Sequence, residues 1–127
     1  MKHRTLVSLS ALAVSTALAA QAAPGFRIYG PHGTSDTYMV DSAGTIVHTW
    51  PGGNPPGNGL YLEADGTLIR SEQAPGAPPI GGRGGGLRRI AFDGTVLWNF
   101  LMAGPNQWAH HDIEPLPNGN ILVIAWA

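Results

Sequence analysis

His110-His111-Asp112 is the densest cluster of proton- and group-transferring side chains in this 127-residue chain. An imidazole titrates near neutrality, so it can attack, accept a proton or donate one. A neighbouring carboxylate can orient the ring or stabilise its cation. If the backbone is extended there, His110 and Asp112 face one side and His111 the other. His111 sits deeper toward the hairpin that follows and is slightly preferred as the reacting group. The plainer role for Asp112 is to cap a turn or tie neighbouring elements through backbone N–H groups, with one histidine merely packed. The same trio could ligate a metal, but adjacent histidines seldom converge on one ion unaided, and neither a metal nor another cofactor is expected.

Other residues could contribute. Arg83 lies in a run of glycines, 81–86, whose successive N–H groups and guanidinium fork suit an oxyanion. The plainer reading is a loop that needs little bulk, since no Walker-type Lys-Ser/Thr follows. Trp108, two residues before His110, is the aromatic best placed to stack on a ring-bearing ligand. His48 alternates with Ile46 and Trp50 and reads as packed. Trp50, Trp98 and Phe100 read as packing between units, and Arg88 and Arg89 as solvated or edge-paired. His32, in a loop after Pro31, has no assigned role.

These residues must be held by short strands. No stretch shows sustained helical periodicity; alternating or apolar runs are broken by Asp/Asn and Gly turn signals. Four hairpins result: Thr37–Trp50 turning at Asp41 to Gly44, Leu60–Ile69 at Asp65-Gly66, Leu87–Phe100 at Asp93-Gly94, and Ile113–Ala125 at Asn118-Gly119. The first and third share the pattern Gly-Thr-(Ile/Val)-(Val/Leu)-(His/Trp)-(Thr/Asn)-(Trp/Phe), 50 residues apart from Gly44 to Gly94. The second and fourth repeat 53 apart, from Gly66 to Gly119. Laid on that repeat, Gly57-Asn58-Gly59 occupies the place of His110-His111-Asp112. The hairpin therefore folds without the histidines, and their presence signals chemistry.

Two hairpins per roughly 50 residues make a four-stranded unit, the period of a β-propeller blade. The expected fold is all-β: a partial β-propeller of about two blades' worth of antiparallel strands over residues 23–127. One full blade spans about 60–100, with 71–86 as its internal link, and a half blade lies on either side. Propellers need about four to eight blades, so the chain reads as truncated, or as a subunit that closes a ring as a homo-oligomer.

Residues 1–22 read as a secretory signal peptide: Lys2 and Arg4, then the uncharged apolar run Leu6–Ala20, then small residues before a cut at Ala23. That run is shorter than the roughly 20 residues a membrane span needs. The remainder has no lysine and sets five arginines against eight acids, a formal charge of −3. Such a balance argues against nucleic-acid or anionic-membrane partners. An exported chain without cysteine must find its stability in core burial or assembly. The expected location is periplasmic or secreted.

The segments Tyr38–Trp50, Asp93–Trp98 and His110–Asn120 together resemble the N-terminal part of the bacterial arylsulfate sulfotransferases. The resemblance implies an exported propeller that moves a sulfuryl group from a phenolic sulfate ester to another phenol. It implies transfer through a transiently sulfated histidine, without a nucleotide donor, in a channel lined by histidines and an arginine. His110, His111 and Asp112 would then be catalytic, Arg83 and Trp108 substrate-binding, and the partners small phenols and aryl sulfates. The resemblance covers about the first third of a family member, so most site residues would lie beyond Ala127, and the chain alone would be inactive. The rival readings are a non-catalytic propeller module that binds a ligand or protein, and an inactive gene remnant.

Overall fold

The computed structural model describes residues 24–79 and 81–127; the expected signal peptide lies outside them. Among the described residues all regular structure is β, with no helix. The first sheet contains β1 (Arg27–Tyr29), β2 (Thr37–Val40) and β3 (Ile46–Trp50), in that order. The central sheet is a four-stranded meander of β4 (Pro56–Leu62), β5 (Leu68–Gln73), β6 (Gly85–Ile90) and β7 (Val96–Leu101). The third pairs β8 (Trp108–Pro115) with β9 (Ile121–Trp126). All pairings are antiparallel and none of the sheets closes on itself.

The hairpin turns stand where the Asp/Asn and Gly signals put them. At each, an Asp or Asn side chain accepts a backbone N–H: Asp41 from Thr45, Asp65 from Thr67, Asp93 from Thr95 and Asn118 from Asn120. The turn glycines 44, 66, 94 and 119 hold φ between +84 and +90°, a region costly for other residues.

The repeat extends into the strand register. Across β4–β5, Pro56 faces Glu72 and Leu60 faces Arg70, so β4 carries two extra residues in between. Across β8–β9, Ala109 faces Ala125 and Ile113 faces Val123, the same bulge 53 residues on. The Met39/Val40 irregularity of β2–β3 recurs at Arg89/Ile90 in β6–β7.

Successive residues of β5 serve opposite faces. Leu68 joins Trp50 and Ile90 in a core between the first and central sheets, with Ile28, Met39 and Leu60 packed around it. Ile69 joins Leu87 and Ile113 in a second core against the third sheet, with Tyr61, Ile121 and Val123. Covered on both faces, β5 is buried from Leu68 to Glu72.

Its charges are buried because they are paired. Arg70, 0% exposed, donates to Glu72, to Thr37 Oγ1 at 2.8 Å and to the carbonyls of Ser35 and Asn54 at 2.7 Å. Arg88 reaches the other Glu72 oxygen at 3.3 Å. Burial pulls the Arg70 guanidinium below its ordinary range, and Glu72 opposes that pull.

Two sequence expectations need adjustment. The link expected over 71–86 is shorter: β5 continues to Gln73, and β6 resumes at Gly85. Polar Ser71, Glu72 and Gln73 lack the apolar alternation of a strand, yet both neighbouring sheets offer them partners. The short strand β1 was not anticipated, because three residues carry no readable periodicity.

Candidate functional site

The β8 bulge carries His110, His111 and Asp112. Within it the two-residue alternation fails, which overturns the expectation of histidines on opposite sides. The rings instead lie together, centroids 4.1 Å apart and tilted by 43°. Nδ1 of each is buried with no hydrogen-bond partner. A buried unpaired polar atom is costly, and the same condition holds at His48 Nε2, Trp50 Nε1 and Arg88 Nε.

Two clamps hold the bulge. From the central sheet, Ser71 Oγ donates to the His111 carbonyl at 2.6 Å and accepts the Gly59 N–H at 3.0 Å. From the β5–β6 connection, the Gly82 carbonyl accepts the His111 N–H at 3.0 Å, and Arg83 forms an antiparallel bridge with His110. Gly82, at φ +80°, lies so close that a Cβ there would strike the His110 imidazole and come within 2.8 Å of His111 Nδ1. The glycine run is therefore a tightly apposed strap over the histidines, and its lack of bulk is what permits the contact.

Beside this strap lies a polar recess of about 290 Å³, lined by His32, Asn58, Gln73, Gly82, Arg83 and His111. Two imidazoles, a guanidinium and two carboxamides face it, and no carboxylate does. A lining of donors and cations favours an anion with several oxygens.

Of the residues singled out in the sequence, His111 and Arg83 share the recess, and His110 is outside its lining with its ring against that of His111. Asp112 hydrogen-bonds to neither ring. It is exposed, and its Oδ1 accepts the N–H of the next residue of its own strand, Ile113, at 3.1 Å. Trp108 does not line the recess; its indole N–H donates to the Gly84 carbonyl at 3.3 Å. The aromatic against His110 is Trp126, across from Trp108 in register, with its ring 4.6 Å away. His48 is packed, stacked on Phe92 at 3.8 Å and edge-on to Trp50 at 4.3 Å. Among the described residues no group of three or more His, Cys, Asp or Glu is arranged to hold a metal.

His32, Asn58 and Gln73 were missed. The repeat held the signal for His32, since a shift of 50 lays residues 31–36 on the strap 81–86. The same logic marks Asn58, which the 53-residue shift lays on His111. Elsewhere, Tyr61 ties β4 to β8 by donating to Glu114 at 2.9 Å, and that bond to a carboxylate raises the phenol above its ordinary value.

No protein-family model, curated protein or solved structure matches this chain.

Proposed function

We propose that the three sheets are neighbouring blades of a β-propeller, and that the recess is the sulfate-handling part of an arylsulfate sulfotransferase. One observation carries this reading: His111, His32 and Arg83, from three separate segments, converge on a recess that no carboxylate lines. The meander with a sheet stacked on each face supports the blade assignment.

In the proposed reaction an imidazole nitrogen of His111 attacks sulfur, and the S–N bond forms as the bond to the aryl oxygen breaks. The guanidinium of Arg83 balances charge on the peripheral oxygens, and His32 supplies a proton to the departing phenolate. An acceptor phenol then gives its proton back to His32 as its oxygen attacks the same sulfur, and the S–N bond breaks to free the imidazole. The phenol and aryl sulfate are the partners, no cofactor takes part, and the protein works after export to the periplasm or beyond.

Asp112 favours the alternative of a binding module without turnover, because it leaves the histidines without a carboxylate to orient them. Titration with 4-nitrophenyl sulfate, followed by calorimetry and by histidine NMR shifts, tests both readings. Binding is expected, and it should weaken at least tenfold in Arg83→Gln and His111→Ala. The open arc on its own should bind without releasing 4-nitrophenolate. Release that is lost in His111→Ala would establish catalysis by this chain, whereas binding unaffected by either substitution would sink the assignment.

A further inference from the structure

The two packed faces of the central sheet differ in how completely they are covered. Toward the first sheet, Phe92 at the β6–β7 turn lies against His48 and Trp50. The 50-residue shift makes Trp98 and Phe100 the counterparts of His48 and Trp50. On their side β8 and β9 supply Ile113 and Ile121, where β4 and β5 had supplied Leu60 and Leu68. Nothing described there corresponds to the hairpin that carries Phe92. Trp98 and Phe100 stack on each other, 40% and 41% exposed, along a groove of about 480 Å³. The opposite face of β9 is bare as well, with Leu122 58% and Ile124 60% exposed.

We infer that the occupant of this groove is the β2–β3 hairpin of a second copy of the chain, bound head to tail. The repeat supplies the template. β2 and β3 stand where β6 and β7 stand in the central sheet, and the three-residue β1 stands where β5 does. By the 53-residue shift β9 is the counterpart of β5. The six-residue β9 of one molecule therefore takes the place of β1 in the next, completing a four-stranded sheet in the order β8, β9, β2, β3.

In that sheet Ile121 pairs with Val40 of the second copy and Val123 with its Tyr38, as Leu68 pairs with Ile90 and Arg70 with Arg88. One face closes over Trp98 and Phe100. The other buries Leu122 where Ile28 packs now, against the second copy's central sheet. Each copy then contributes two four-stranded sheets, so roughly two to four copies would close a ring of propeller size. The proposal rests on the blade reading of the sheets and not on the chemistry of the recess.

The chain has no cysteine among its residues, which makes a register test clean. A Tyr38→Cys/Val123→Cys double variant, oxidised in dilute solution, should give intermolecular disulfides and a ladder on a non-reducing gel. An Asp41→Cys/Val123→Cys variant should stay largely uncrosslinked. By sedimentation velocity the parent chain should form one discrete oligomer, and Leu122→Asp, on an exposed position, should leave a folded monomer.

A monomer at every concentration would overturn the inference, as would equal crosslinking in both cysteine pairs. So would a groove that becomes covered only when a longer reading frame is expressed, since the occupant is then the same polypeptide. A monomer that still binds 4-nitrophenyl sulfate through Arg83 and His111 would remove the assembly and leave the site standing.

Discussion

At the scale of single residues, the site depends on a glycine as much as on the histidines. Gly82 holds a left-handed backbone and leaves no room for a Cβ beside either imidazole, so any side chain there is strained and displaces them. Gly82→Ala is expected to destabilise the fold by about 1–3 kcal/mol, and to shift the His110 and His111 ring resonances together. An unfolding titration paired with histidine NMR checks this; unchanged ring shifts would mean that the strap does not position the rings. The histidines were legible in the sequence because the repeat builds its bulge without them at Gly57-Asn58-Gly59. Their mutual placement was not legible. Alternation assumes a regular strand, and the two extra residues of the bulge cancel it.

At the scale of elements, the hairpin turns carry a pH signature. Backbone and side-chain hydrogen bonds from Thr67 and Thr95 hold the carboxyls of Asp65 and Asp93 below their ordinary value of 3.8. A carboxyl depressed in the folded state stabilises the fold fully above its unfolded value, and that contribution disappears as pH falls through the lower folded value. Stability should therefore decline as pH drops below 3.8, and Asp65→Asn with Asp93→Asn should flatten that acid limb. Melting temperatures from pH 5 to pH 2 are the measurement, and an acid limb equally steep in the double variant would contradict it. The four hairpins were readable because Asp/Asn-Gly turns are local chemistry. β1 and the polar end of β5 were not, since both exist only through what neighbouring sheets offer them.

For the molecule as a whole, the cohesion of the sheets is partly polar. Glu72 lies between two arginines, one of which also binds Ser35 and Thr37 of the first sheet's β1–β2 segment. Removing one member leaves a buried charge without its partner. Glu72→Ala is expected to cost about 3–5 kcal/mol, while Arg70→Met/Glu72→Leu/Arg88→Leu should recover much of that loss. Urea unfolding of the two variants decides it, and a cost below about 1 kcal/mol for Glu72→Ala would show that water reaches the network. Sequence gave no hint of this arrangement, because an Arg-Ser-Glu run reads as solvent-facing until both faces of its strand are known to be covered.

Phe92 has a consequence for biosynthesis. The aromatic pair His48 and Trp50 is capped by a ring that the ribosome makes much later. Emerging from its N-terminus, the polypeptide carries this pair bare until the third hairpin has been translated. A first sheet that folded ahead of the third hairpin would hold this pair open to solvent, an apolar patch of the kind that makes partly made chains prone to aggregate.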